Sequence, residues 1–227
     1  MRKRRFFRRG LLLVLTALML APPLPAAARQ VDQEQLLARI RKVFQQKRLW
    51  VGDFVQRAMV PDVAEPQVSR GKVYFQLPDK MRWEFVRPRQ TLVSDGQTIW
   101  FYDADLQQVM IGKVASLMEA RLMLRLLSQV ASLERDYQVT VRHPGQGEPI
   151  SVRLVPREQG TAGKPFTSLE LDFDPDTCWL RESRLVDLFA NRIRITYRWQ
   201  AQAKPLPAGF FRFVVPPGTE VVPMGEP

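Results

Sequence analysis

Hydrophobic positions along the chain repeat with two different periods. Across residues 31–48, Leu36, Leu37, Ile40, Val43 and Phe44 recur at helical spacing, with Asp32, Glu34, Arg39, Arg41 and Lys42 mostly on the other face. That spacing predicts an amphipathic helix with one buried stripe. From Trp50 onward the period becomes two. Residues 50–60, 68–76, 80–87, 90–94 and 97–102 read as consecutive strands, punctuated by Pro61, Pro78-Asp79, Pro88 and Asp95-Gly96. The Asp95-Gly96 pair lies between two alternating runs and is the strongest hairpin signal in the chain. A further short strand is expected at 107–111. Residues 113–136 contain no Gly or Pro and are rich in Leu, Met, Ala and Arg, which predicts helix in two pieces. Strands return at 137–142, 150–155, 168–173, 179–188, 192–199 and 211–215. In two of them Leu169, Leu171 and Phe173 alternate with Glu170, Asp172 and Asp174, and Ile193, Ile195 and Tyr197 alternate with Arg192, Arg194 and Arg198, so one face is wet and the other is not.

Ten or more short strands joined by local turns imply a mainly β (α+β) chain whose antiparallel sheet curls into an incomplete β-barrel, a half-barrel. Two helices cannot cover the outside of such a sheet. The N-terminal helix and the 113–136 helix, acting as a lid, are therefore expected over an apolar cavity on the concave side. Large apolar side chains sit at the strand positions that would line it. Trp50 and Phe54 share one face of the first strand. Met81, Trp83 and Phe85 share a face of the third, while Arg82 and Glu84 take the other, and Trp100 adds bulk with Tyr74 and Tyr102 nearby. Facing them would stand Ile40 of the first helix and Met118, Leu122, Met123 and Leu126 of the lid. Methionine suits a surface that repacks around variable apolar partners.

Charge modifies the picture at one end. The 227 residues carry a formal net charge of +11, but Arg2, Lys3, Arg4, Arg5, Arg8 and Arg9 supply six of those charges ahead of an uncharged apolar run. Pro22, Pro23, Pro25 and Ala26-Ala27-Ala28 close that run. This is the order of a secretory signal peptide, expected to be cut after Ala28; a membrane span needs about 20 apolar residues. The Arg4-Arg5 pair loosely resembles a twin-arginine signal, but an Arg-rich leader for the general export route is the better account of it. Residues 29–227 then form a single exported domain, expected in the periplasm, with a net charge of +5. The basic excess thus marks export, and no nucleic-acid partner is expected.

Catalytic chemistry is poorly supplied. With one Cys, Cys178, and one His, His143, neither a disulfide framework nor a multi-histidine metal cage can form, and Cys178 reads as a buried, inert thiol. No nucleophile-elbow, zinc-protease, dinucleotide or phosphate-loop motif occurs. Ser69-Arg70-Gly71-Lys72 matches S-x-x-K without its partner motifs. The series Glu170, Asp172, Asp174 and Asp176 reads as a solvated strand face and not a calcium loop, and Asp103 and Asp105 as a turn and not an acid–base pair. No enzyme activity, metal or cofactor is expected.

Three segments carry a family resemblance. Residues 93–109 contain Val93-Ser94-Asp95-Gly96, then Trp100-Phe101-Tyr102-Asp103, then Asp105-Leu106-Gln107-Gln108-Val109. Residues 71–83 run from Gly71 through Pro78 to Trp83, and residues 211–218 read Phe-Arg-Phe-Val-Val-Pro-Pro-Gly. Together, and with residues 133–139 in register, they resemble the periplasmic outer-membrane lipoprotein carrier family, LolA. The resemblance implies a monomeric carrier that hides the acyl chains of a lipoprotein, takes them from an inner-membrane ABC-type releasing complex, and passes them to an outer-membrane acceptor lipoprotein. It leaves open a LolA-like carrier of a glycolipid or other acylated product, and a lipoprotein-sensing regulator of envelope stress. At one position the chain departs from the family, which has an Arg before the Pro of the second-strand turn as a clasp between lid and barrel. Here that position is Leu77.

Overall fold

A computed structural model describes residues 26–113, 134, 136–142, 145, 147–157, 166–202 and 204–224, with side chains from residue 33 onward. Most of the expected leader and nearly all of the expected lid, including Met118, Leu122, Met123 and Leu126, lie outside the described residues.

Helix α1 (Ala26–Gln46) begins five residues before the predicted start, and its first turn contains the Ala26-Ala27-Ala28 triplet. Its buried stripe is the predicted one: Leu36, Leu37, Ile40 and Phe44 are buried. Among the described residues, no helix is long and apolar enough to cross a membrane.

Twelve strands follow among the described residues: β1 (Leu49–Met59), β2 (Gln67–Gln76), β3 (Lys80–Arg87), β4 (Gln90–Ser94), β5 (Thr98–Asp103), β6 (Gln108–Lys113), β7 (Tyr137–Arg142), β8 (Ile150–Pro156), β9 (Ser168–Phe173), β10 (Leu180–Val186), β11 (Arg192–Trp199) and β12 (Glu220–Pro223). They form one open sheet in the order β12-β6-β5-β4-β3-β2-β1-β11-β10-β9-β8-β7. Short turns make sequence neighbours pair, so β1–β6 and β7–β11 are two runs of antiparallel strands that meet where β1 pairs with β11. The result is the expected incomplete barrel. The Lys47 ammonium, just past α1, fastens the helix end to the sheet by donating to the Gln200 and Ala201 carbonyls at 3.0 and 2.9 Å.

The structure corrects the last predicted strand. Residues 211–215 are not in a strand; the chain there crosses the outside of the sheet. Phe210 packs on Tyr74 at 4.8 Å and Phe213 on Tyr102 at 5.2 Å between ring centroids, and Arg82 donates to the Phe210 carbonyl at 3.2 Å. Turn bonds from Phe210 N to Pro207 O and from Arg212 N to Gly209 O occupy main-chain donors that a strand would use in a ladder. The strand forms later, as β12, and it is parallel to β6, the one parallel pair among the described residues.

Register settles which side chains share a face, since residues opposite one another point the same way. One row runs Trp50, Phe75, Met81, Ser94, Ile99 and the next Gly52, Val73, Trp83, Leu92, Phe101, Met110 across β1 to β6. This is the inner face, and α1 shares its core. The outer face carries Val51, Tyr74, Arg82, Val93, Trp100 and Ile111 in the row between.

The predicted acidic face is drier than expected. Asp172 and Glu182 are buried on the outer side of β9 and β10. Ser151 donates to Asp172 at 2.6 Å; Arg184 pairs with Asp172 at 2.8 Å, with Glu170 at 3.3 Å and closely with Glu182; and Arg194 pairs with Glu182 at 2.7 Å. Burial alone would lower the Arg184 pKa, but the hydrogen bonds to Glu182 and Asp172 outweigh it and raise it. Arginines laid across the carboxylates, and not water, satisfy them.

Candidate functional site: the inner apolar face

The inner face is built from rings in mutual contact. Phe44 of α1 stacks on Trp50 at 4.6 Å, and Trp50 meets Trp179 and Trp199 edge-on at 5.5 and 5.4 Å. Tyr197 stacks on Trp199 at 5.2 Å, and Phe54 meets Trp83 at 4.7 Å and Phe85 at 5.1 Å. Two glycines permit close approach on this face, Gly52 of a ring and Gly71 of the neighbouring strand's main chain. A Cβ on Gly52 would lie 2.9 Å from Cε3 of Trp199 and 2.6 Å from the Arg198 carbonyl oxygen, and one on Gly71 would lie 1.8 Å from the Glu84 oxygen. The Trp50 indole Nε1 is buried with no hydrogen-bond partner, so this surface is tuned for apolar contact at the expense of one polar group.

Burial along this face is graded. Where β1 begins and α1 packs, Trp50, Phe75, Met81 and Ile99 are inaccessible to water. Toward the other end, where β1 finishes and β11 starts, Phe85, Leu92, Phe101, Met110, Ile193 and Ile195 are only half-buried. Across β7–β10 the same face is closed by Leu154, Phe166 and Leu169. The accessible part is therefore an apolar strip on β3–β6 and β11, whose row from Trp83 through Leu92 and Phe101 to Met110 carries no charge; Asp103, two residues beyond Phe101, shares this face at its rim. Such a strip can shield a flexible hydrocarbon chain from water.

The structure brings Ile40, Trp50, Phe54, Met81, Trp83 and Phe85 together on this face. Trp100 does not join them. Its register opposite Val93 and Ile111 puts it on the outer face, because Ile99 is the residue of β5 that points inward. Tyr74 and Tyr102, expected near it, are also on the outer face, under Phe210 and Phe213. Sequence reasoning overlooked Phe75, Tyr197, Trp199 and Trp179 as part of the inner surface. The alternation of Ile193, Ile195 and Tyr197 extends in step to Trp199 and could have found it.

Leu77 is buried in the same core. Its main chain is nonetheless tied to the link after α1: Leu77 N donates to the Arg48 carbonyl at 2.9 Å, and the Arg48 guanidinium donates to the Leu77 carbonyl at 3.1 Å. A groove of about 710 Å³ opens beside this link, lined by Arg48, Leu77, Lys80, Asp95, Phe210 and Arg212 among others. Its mixed lining sets it apart from the inner strip.

The remaining candidates are structural. Cys178 is buried, and burial pushes its thiol pKa up, away from the reactive thiolate. Asp103 accepts main-chain hydrogen bonds from Asp105 and Leu106 at 2.9 and 3.0 Å, as a turn residue does. Asp174 does the same for Asp176 and Thr177 at 3.1 and 2.9 Å. Among the described residues, no cluster of His, Cys, Asp and Glu could hold a metal ion.

With this geometry in hand, comparisons with known proteins give a consistent result. The outer-membrane lipoprotein carrier protein of Methylibium petroleiphilum is 34% identical over 172 residues, covering 74% of this chain and 80% of its own length. That of Dechloromonas aromatica is 30% identical over 201 residues, covering 88% and 90%. Among solved structures, the LolA superfamily protein NE2245 from Nitrosomonas europaea is 11% identical with a TM-score of 0.43, over 79% of this chain and 97% of that one. The family model for the outer membrane lipoprotein carrier protein LolA matches residues 46–214, which span β1 to β11 and the aromatic strap beyond. The chain belongs to the LolA family of outer-membrane lipoprotein carrier proteins.

Proposed function

We propose that this protein binds the acyl chains of a lipoprotein on the inner face of the half-barrel and carries them through the periplasm from the inner to the outer membrane. The observation that carries this is the graded apolar row from buried Trp83 through half-buried Leu92, Phe101 and Met110, with no charged side chain in it. Burying an acyl chain gains about 0.8 kcal/mol per methylene, on the order of 10 kcal/mol gross for one chain. A surface of flat rings and a flexible methionine adapts to such a chain, which suits a carrier that must also release it. Directional transfer then requires each station to bind the cargo more strongly than the last, because a carrier adds no free energy of its own. The ABC-type releasing complex and the acceptor lipoprotein are the partners that this role requires. In the same scheme residues 1–28 form the export signal, and the 113–136 segment, with Met118, Leu122, Met123 and Leu126, supplies the other wall. A fluorescent long-chain acyl probe tests the site. Trp83→Ala should weaken its binding about tenfold or more, whereas Trp100→Ala should leave it within about twofold. Equal effects would sink the assignment of the inner face. Native mass spectrometry of protein recovered from its own periplasm reads the cargo: a bound triacylated peptide supports a lipoprotein, and a bound glycolipid overturns that choice.

A further inference from the structure

We propose that the end of the half-barrel formed by the β1–β2 and β10–β11 loops docks on an anionic phospholipid surface. Of ten large apolar side chains exposed among the described residues, seven lie at or beside this end: Met59, Val60, Val63, Val68, Val86, Leu188 and Phe189. A concentration of that kind on a water-facing surface marks an interaction site. The two loops are neighbours, because Met59 stands opposite Arg192 at the end of the β1–β11 ladder.

Their exposure is built in. The turn at 187–191 is closed by Asp187 N donating to the Asn191 carbonyl at 3.0 Å. The Asp187 carboxylate accepts from Phe189 N and Asn191 N, each at 2.8 Å, and from the Asn191 amide at 2.7 Å. This geometry holds Leu188 and Phe189 outward at 57% and 80% exposure, although a turn of that length could place a polar residue at either position.

Charge selects the partner. Arg57 and Arg194 stand opposite each other on the outer face, as do Arg70 and Arg87, and Arg192 lies beside Met59. Among the described residues, Arg57, Arg70, Arg87 and Arg192 have neither an ion pair nor a hydrogen bond from their side chains. The acids of the same corner, Asp62 and Glu65 in the β1–β2 loop and Asp187, are three against the four unpaired arginines, so the corner stays basic. Apolar side chains on protruding tips, backed by unpaired guanidinium groups, match the layering of a bilayer interface, with the tips at the acyl boundary and the arginines at the phosphates. A protein partner would call for a flatter or concave apolar patch. The half-buried residues of the inner strip, Phe85, Ile193 and Ile195, lie toward this same end, so docking here would bring the open part of the strip to the membrane.

The inference does not require the acyl-carrier reading, and flotation with vesicles tests it separately. The exported protein is mixed with phosphatidylcholine vesicles, with and without about one third phosphatidylglycerol. Wild-type protein should float with the anionic vesicles at least tenfold more than with the neutral ones, and high salt should reduce the difference. The double variants L188S/F189S and R57E/R192E should each lower flotation about tenfold or more, while circular dichroism, melting temperature and acyl-probe binding in solution stay unchanged. No flotation of the wild type, equal flotation of all three proteins, or loss only of a protein–protein association in the variants would overturn the proposal.

Discussion

The two faces of one sheet solve different problems with similar residues. On the inner face Trp50, Phe54, Trp83, Tyr197 and Trp199 touch one another and α1, with no ion pair among them. On the outer face Tyr74, Trp100 and Tyr102 are half-buried beside Arg82 and the 210–213 strap, and farther along the same face Arg184 bridges three carboxylates. Aromatic content therefore does not identify a ligand surface in a strand. What distinguishes the inner face is an unbroken apolar row whose burial falls off toward one end.

Breaking the inner cluster should have the largest effect. Trp50→Ala removes the ring that joins α1 to β11 and should cost about 3–5 kcal/mol of stability, read as a lower urea midpoint. Trp50→Phe keeps most of the contact and deletes the unpaired indole N–H, and should cost well under half as much. On the outer face, Asp172→Asn leaves Ser151 and Arg184 with a weaker acceptor; the expected loss is about 1–3 kcal/mol, with acyl-probe binding unchanged. Phe213→Ala removes one ring pair with Tyr102 and should cost about 1 kcal/mol, again without touching the inner strip. An outer-face variant that abolished acyl binding while remaining folded would overturn the division between the faces.

The smallest expected effect is on pH. The hydrogen bond from Gln90 holds the Asp103 carboxyl below its ordinary value of 3.8, and the main-chain bond from Thr177 does the same for Asp174. A depressed folded pKa contributes stability that is fully present above the unfolded value and is lost as pH falls through the folded one. Thermal melts should therefore show no loss from these groups at pH 5 and a modest loss as pH falls below 3.8. Asp103→Asn should flatten that acid limb, and an unaltered limb in Asp103→Asn and Asp174→Asn would remove these turns as its source.

Much of the architecture was legible because alternation is a local signal. The boundaries of β3, β4, β7, β9 and β11 coincide with the predicted runs, and the buried stripe of α1 follows from helical spacing alone. Trp100 was misplaced because a strand with Ile99, Trp100, Phe101 and Tyr102 in succession has no polar residue to mark its wet side. The 211–215 run alternates like a strand, yet its aromatic rings found partners on the outer face while its main chain closed turns. Gly52 carried no local sign of its purpose, since the ring it accommodates, Trp199, is far away in sequence.

The sequence by itself determined the number and order of most strands and the buried stripe of the N-terminal helix, because these depend on spacing and residue type within a few positions. The family resemblance was legible there too, in the segments around Asp95, Pro78 and Phe211. Tertiary structure alone decided which aromatics share a face, that Asp172 and Glu182 lie beneath arginines, that β12 runs parallel to β6, and that the exposed apolar loops gather at one end. Each of these rests on register between strands distant in the chain, and register is fixed only when the whole sheet forms.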